Sequence, residues 1–168
     1  EIYKGLSDTD ALTGLFNRRA FQAAVDETLL KRISGVFIFI DVDNFKDYND
    51  KYGHANGDLC LKHFAAAMKK CFPKDSILGR YGGDEFVVYI KNAASDDAHR
   101  YMDEFQREIS HLIMSGGEHV TVSASAGGVA FIGGGEDFVS LCRSADNMLY
   151  DVKRNGKGTF KIKGAKNM

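Results

Sequence analysis

The residues best equipped for chemistry in this chain are three acids. In "GRYGGDEFVVYI" (residues 79–90), Asp84 and Glu85 follow two glycines and interrupt what otherwise reads as two strand-like runs. Adjacent glycines weaken a strand, because they lose entropy and bring no side chain to pack. Adjacent carboxylates repel each other. The third acid, Asp41, closes the apolar run "GVFIFID" (residues 35–41). An acid at the C-terminal edge of a buried strand has little structural use. Two carboxylates brought together can hold Mg²⁺, which keeps waters and phosphate oxygens as its other ligands. If the hairpin pairs beside the Asp41 strand, Asp84 comes close to Asp41, and the glycines let a bulky triphosphate approach the backbone. Taken alone, "GGDE" is more simply a turn with solvated acids.

"DVDNFKDYNDKYGHANGD" (residues 41–58) invites a calcium-loop reading, since Asp41 and Asp43 match the first two ligand positions. That reading fails: Phe45 stands at the third ligand, Lys46 at the turn glycine and Tyr52 at the closing bidentate Glu.

Several elements must position these residues. Asn17 is placed to cap a helix whose apolar face runs through Phe21, Ala24, Val25, Leu29 and Ile33. Residues 35–41 form a continuous β-branched and aromatic run, the signature of a buried central strand. Leu59, Cys60, His63, Phe64, Ala67 and Cys71 make a second helical stripe. "SILGRY" and "EFVVYI" are strands joined at Gly82-Gly83, a pair suited to a tight turn with positive φ. A long helix is expected from Ala98 to Ile113, and "HVTVSASAGGVA" alternates as a strand with two unlike faces. A last helix carries Phe138, Leu141, Cys142, Ala145, Leu149 and Val152, and "TFKIK" ends the chain as a short strand. Strands alternating with helices, plus one hairpin, argue for an α/β (α+β) sheet domain.

The length, 168 residues, is that of one domain. A net charge of -1 provides no basic field for nucleic acid. No apolar run approaches the roughly 20 residues that span a bilayer. Cys60, Cys71 and Cys142 have no metal-type spacing and read as reduced core thiols of a cytoplasmic protein. Residues 1–9 read as the end of an upstream linker or helix, and residues 10–168 as the domain.

The full set of motifs resembles the GGDEF-domain diguanylate cyclases. "GGDEF" (82–86) is the family's own signature, and "DALTGLFNRRAF" (10–21) is similar to its opening D-x-L-T-G-L-x-N-R-R motif. Residues 41–58 resemble its D-x-D-x-F-K-x-x-N-D-x-x-G-H-x-x-G-D block. "SASAGGVA" and "ADNMLYDVKRNGK" resemble its later segments. The resemblance spans residues 10–157 with spacing kept, which is far more specific than one short motif.

It implies a palm-like fold, a mostly antiparallel ferredoxin-like sheet flanked by helices. It implies condensation of two GTP into cyclic di-GMP by two facing domains, a homodimer needed for turnover, with a covalently linked upstream sensor or regulatory domain. Mg²⁺, or alternatively Mn²⁺, would sit on Asp41, Asp84 and the Val42 carbonyl. Asp84 or Glu85 would assist deprotonation, while Lys46 and Lys153 would stabilise phosphate charge. Asn49 and Asp58 would read guanine, whose paired N1–H and N2–H₂ donors suit a carboxylate. His54 would lie beside the nucleotide, Gly83 would act through its backbone, and Phe45 belongs to the same substrate segment although its apolar ring suits the core. Without the resemblance, Lys46 and Lys153 read as surface lysines, and Asn49 and His54 as turn residues.

Two departures carry consequences. "PKDS" (73–76) stands where many members have the R-x-x-D product-inhibition site, and Asp75 is out of register; this form of inhibition is expected to be absent. Lys157 stands where the family commonly has Arg, keeping the charge but losing the bidentate fork that suits phosphate.

Overall fold

The computed structural model of the protein describes residues 7–164. Its elements, in chain order, are α1 (Arg18–Leu30), β1 (Gly35–Val42), α2 (Phe45–Tyr52), α3 (His54–Cys71), β2 (Ile77–Arg80), β3 (Glu85–Lys91), α4 (Ser95–Ile109), β4 (Leu112–Ile113), β5 (His119–Val120), β6 (Ala124–Phe131), α5 (Phe138–Arg154) and β7 (Phe160–Lys163). Five strands form one sheet in the order β2-β3-β1-β6-β7. All neighbours are antiparallel except β6 and β7.

The apolar run of β1 takes the middle of this sheet, and all eight of its residues are buried. Helices cover both faces, so neither face of the strand needs polar residues. Side chains alternate between two cores. Val36, Ile38 and Ile40 join Phe64, Met68, Met102 and Phe105 under α3 and α4. Phe37 and Phe39 join Phe21, Val25, Leu141 and Leu149 under α1 and α5. Asp41 follows in the odd-numbered series, so the strand's period of two aims it at the α1/α5 side.

Several expectations hold and several change. Asn17 caps α1 by accepting from the Ala20 N–H at 2.9 Å. The helix stops at Leu30, and Ile33 lies beyond it. The third long helix ends at Ile109; Leu112 and Ile113 instead pair with Val120 and His119 in a small separate ladder. The stretch read as one alternating strand breaks after Val120. It resumes as β6, all of whose residues are buried, Ser125 included. Its faces are alike in burial because β6 lies beside β1, covered on both sides. Residues 45–52 form a helix of their own, α2, not anticipated as a separate element. Cys60 and Cys71 are buried free thiols, and Cys142 is free but half-buried. Of the stretch 1–9, residues 1–6 lie outside the described residues; the Ser7 and Asp8 carbonyls accept bonds from Asn17. No helix among the described residues is long and apolar enough to cross a membrane.

Gly127 on β6 decides where α5 sits. A Cβ there would strike helix backbone: Leu149 N, Ala145 O, and Leu149 Cα at 2.7 Å. The bare glycine lets the helix rest directly on the sheet. Gly127→Ala is therefore expected to destabilise the domain by about 3 kcal/mol, since the clash is with backbone and overpacking cannot relax through a rotamer. For a chain of this size that is a fall of roughly 10 °C in thermal melting. A melting temperature unchanged from wild type would show that α5 is not seated this way.

Candidate active site

The β1–β3 register brings the acids together. Asp41 and Glu85 are direct cross-strand partners, and the next rung is closed by Val42 N–H donating to the Asp84 carbonyl at 3.1 Å. Directly opposed like charges destabilise an antiparallel pair. A third surface completes the site. From α5, Lys153 and Asp146 face the strand ends, and with Asp41, Glu85, Asn147 and Tyr150 they line a cavity of ≈ 390 Å³.

Lys153 Nζ donates to Asp41 Oδ2. Asp41 is only 8% exposed, and its other oxygen, Oδ1, is buried with no hydrogen-bond partner. Desolvation pushes the Asp41 carboxyl above its usual range; Lys153 opposes this, while Asp84 and Asp146 add to it. Glu85 is raised by desolvation and then by Asp41 and Asp84. For Lys153, burial works against the charge, but the bond to Asp41 and the field of Asp84 and Glu85 outweigh it, leaving the ammonium held above its ordinary pKa. Both partners of the pair thus hold protons more tightly than usual, as expected where negative charge is in excess.

The turn that carries Asp84 is not the expected one. Neither Gly82 nor Gly83 adopts positive φ, and the connection between β2 and β3 spans residues 81–84 rather than two. A Cβ on Gly82 would collide with Glu85 Oε1, whereas Gly83 faces open space. The turn is held from below by Arg80. Its Nε donates to the Gly82 and Gly83 carbonyls at 3.2 and 3.1 Å, and Nη2 donates to Gly83 O at 2.8 Å. Nη1 bonds both oxygens of Asp10 at 3.2 Å. Asp10 in turn accepts from Thr13 N–H and Oγ1–H at 2.9 and 2.8 Å. Burial alone would raise the Asp10 pKa; the bonds from Thr13 and Arg80 win and lower it.

The remaining predicted residues fall into two places. Asn49 on α2 faces Gly57 of α3, where a Cβ would lie 2.9 Å from Asn49 Cγ, and Asn49 Oδ1 is buried without a partner. Asp58 and His54 are exposed on the same α3, next to this corner. Lys46 is exposed on the first turn of α2, and Phe45 is partly buried against the core, stacked near Tyr48. Lys157, held at φ 64°, donates from Nζ to Asn44 Oδ1 at 3.0 Å, beside the turn between β1 and α2. The structure thus gathers Asp41, Glu85 and Lys153 in one cavity with Asp84 on the adjoining rung, and sets the Asn49, His54 and Asp58 group apart on the α2–α3 corner.

Two residues escaped the sequence reading. Asp146 was detectable, since it stands seven residues from Lys153, two turns along one helical face. Arg80 gave no signal, because its partners are glycine carbonyls and an acid 70 positions away. Asp43, the neighbour that suggested a calcium loop, is occupied by Ser123 and Ser125 hydroxyls at 2.6 and 2.5 Å.

The donor set suits a hard divalent cation. The groups are carboxylate oxygens, one of them a buried orphan, whose pKa values are raised by burial and then by one another. No three His, Cys, Asp or Glu side chains among the described residues converge to hold an ion alone. A cation held by two of these carboxylates would need water or phosphate oxygens as its further ligands.

A mixed, mostly antiparallel sheet with acids at the ends of two adjacent central strands defines a palm-like domain. The comparisons name its family. The model for "Diguanylate cyclase, GGDEF domain" matches residues 7–159, and the chain belongs to that family. It is 33% identical over 162 residues to a "Diguanylate cyclase" of Vibrio cholerae, covering 94% of this chain and 50% of that protein. It is 34% identical over 158 residues to the "Cyclic di-GMP phosphodiesterase PdeR" of Escherichia coli, covering 92% of this chain and 24% of that protein. The chain thus spans half or less of the length of these curated relatives. Among solved structures, the GGDEF domain of TpbB (YfiN) from Pseudomonas aeruginosa superposes with a TM-score of 0.85 at 30% identity, covering 92% of this chain and 93% of that one. The GGDEF domain of DgcB from Caulobacter crescentus in complex with c-di-GMP gives 0.86 at 28%, covering 92% of each chain.

Two outcomes follow from the geometry. Glu85 has a folded pKa above its unfolded one, so its charge penalises the folded state above the folded pKa, and the penalty is gone below the unfolded value. Glu85→Gln is expected to raise thermal melting at pH 7 by about 1–2 °C, allowing for solvent screening. The gain should vanish below about pH 4; a gain independent of pH would contradict the assignment. Arg80→Met removes the fork under the turn and strands Asp10. A loss of about 2 kcal/mol is expected in denaturant unfolding, between the values for surface and buried pairs. Asp10 has the opposite sign to Glu85, so its contribution is present above about pH 4 and is lost on further acidification.

Proposed function

We propose that the domain is a diguanylate cyclase, condensing two GTP into cyclic di-GMP and releasing two pyrophosphates. Each 3′-hydroxyl attacks the α-phosphate of the nucleotide held by a second, facing copy. The observation that carries this reading is the cross-strand placement of Asp41 with Asp84 and Glu85 beside Lys153. Asp41, Asp84 and the Val42 carbonyl would hold Mg²⁺, with Mn²⁺ as the alternative; the bound ion supplies charge neutralisation on the triphosphate and acidifies the attacking hydroxyl. Asp84 or Glu85 takes the proton. Lys46, Lys153 and Lys157 offset phosphate charge, and the open space at Gly83 lets the triphosphate come close to the backbone. Phe45 packs beneath the nucleotide segment and His54 lies at its edge. The unpartnered Asn49 Oδ1 and the Asp58 carboxylate are acceptors suited to guanine, and adenine lacks the matching donor pair.

A second reading, a non-catalytic GTP-binding regulatory module, has one observation in its favour: a relative with the matching segment is named a phosphodiesterase. The retained acids favour catalysis. We assign residues 10–168 to the GGDEF domain and residues 1–9 to the end of an upstream linker or helix. A sensor or regulatory domain would precede it, and the free thiols suit a reducing cytoplasm.

The test is incubation with GTP and Mg²⁺ at raised protein concentration, following pyrophosphate and cyclic dinucleotide. Wild type is expected to turn over, Asp84→Ala to lose at least about a thousandfold in rate, and Asp58→Ala to relax guanine preference by about tenfold or more. Inhibition by cyclic di-GMP through the stretch 73–76 is expected to be absent, so replacing Lys74 and Asp75 by alanine should leave the product's effect on the rate unchanged. GTP binding without product at any protein concentration would replace this reading with the regulatory one.

A further inference from the structure

Two helices carry the acceptors that the proposed function gives to guanine, Asn49 on α2 and Asp58 on α3. Their spacing is set by the angle at which the helices meet, and the joint itself does little to fix that angle. Gly53 alone separates α2 from α3, at φ 87°, with no atom within 4 Å of where a Cβ would stand. A glycine in open space is a soft joint. Neither helix starts with a side-chain cap. α2 is eight residues long, with Tyr48 as its one buried residue and Phe45 and Tyr52 partly packed. A helix of two turns does not hold its shape alone, so α2 depends on what grips its ends.

Asn56, on the first turn of α3, supplies a grip. It stands at an unspecified position of the G-H-x-x-G-D block and is half-buried. Both ends of its amide are used. Nδ2 donates to the Tyr52 carbonyl at 2.9 Å, one of the groups that the end of α2 leaves without a helical partner. Oδ1 accepts from the Ser115 N–H and Oγ–H, both at 3.3 Å. Ser115 lies in the turn between β4 and β5, 59 residues along the chain. That arm is seated on the core by Leu112 and Met114, both buried, and Met114 N–H closes its turn on Glu118 O at 2.8 Å. One side chain thus ties the end of α2 and the start of α3 to an anchored arm.

We infer that Asn56 is a positioning residue for guanine recognition: by bracing α2 against α3 and the β4–β5 arm, it holds Asn49 and Asp58 at the spacing that one base requires. This deepens the proposed function and rests on its assignment of Asn49 and Asp58 to guanine. Asn56 acts without touching the base, since its amide is already used on Tyr52 and Ser115. Without the brace α2 turns about Gly53, and the two acceptors no longer meet the N1–H and N2–H₂ donors together.

The test compares the binding of non-hydrolysable GTP and ITP analogues by calorimetry. Inosine lacks the N2 amino group, so the ratio of the two affinities reads the paired acceptors and cancels the triphosphate. Wild type is expected to prefer the guanine nucleotide by about tenfold, and Asn56→Ala to lower that preference to about twofold. Asn56→Asp keeps the acceptor for Ser115 and loses the donor to Tyr52, and should behave as Asn56→Ala does. Ser115→Ala, at an exposed position, should lower the preference by about twofold alone and not at all in the Asn56→Ala background. A wild-type ratio in Asn56→Ala would mean that there is no brace, and one in Asn56→Asp that the bond to α2 does not hold the corner. Equal effects of Ser115→Ala in both backgrounds would mean that the arm acts by another route. Each of these overturns the inference. If wild type shows no preference for guanine, the assignment of Asn49 and Asp58 falls first and the inference with it. Circular dichroism at the titration temperature separates a lost preference from misfolding, and if Asn56→Ala does not fold, Asn56→Asp and Ser115→Ala decide the matter.

Discussion

Repulsion among Asp41, Asp84, Glu85 and Asp146 is the term against which the rest of the molecule works. Left to electrostatics, these carboxylates would separate. They are held close because the β1–β3 ladder fixes Asp41 opposite Glu85, and the ladder cannot slip without turning the buried faces of both strands outward. The apolar mass beneath them is large and two-sided, and it absorbs the cost. Lys153 offsets part of the charge, while burial first and the neighbouring acids second hold the proton affinities of Asp41 and Glu85 above the usual range. A site in this condition is built to be completed by a cation from outside.

Geometry for that site comes from backbone more than from side chains. Gly127 lets α5 touch the sheet, which sets the height of Lys153 and Asp146 above Asp41. Gly79, where a Cβ would lie 2.9 Å from Phe21 Cδ1, likewise lets α1 approach β2. The glycines on these strands are therefore contacts in their own right. The turn at 81–84 works differently, since it is shaped by one guanidinium binding two carbonyls.

Much of this was legible in the residues. A buried strand ending in an acid, a hairpin carrying two more, and the need for them to meet were readable because strand period and hairpin pairing are local rules. The central position of β1 followed from its unbroken apolar run. What failed, failed where tertiary contacts override local ones. Two adjacent glycines read as a positive-φ turn, but neither residue adopts that conformation, and the turn is shaped by Arg80 binding their carbonyls instead. The alternation of residues 119–130 read as one strand with two unlike faces, but only residues 124–131 join the sheet, where neighbours on both sides bury Ser125 too; it finds Asp43 and the Gly158 N–H as partners. Leu112 and Ile113 kept helical spacing by chance after the helix had ended. Arg80 was invisible because its function lies in carbonyl groups that every residue carries.

The Arg80 fork has a mechanical consequence. The segment 7–17 is laid along β2: Phe16 N–H donates to Leu78 O, Arg80 N–H donates to Phe16 O, and Thr9 bridges back to Phe16. Through Asp10 that segment grips the same guanidinium that grips the 81–84 turn. The path from that segment to the Gly83 carbonyl runs through two side chains, Asp10 and Arg80. Any shift of residues 7–17 relative to β2 therefore strains the Asp10–Arg80 bonds and, through Arg80, the carbonyls of the loop that presents Asp84.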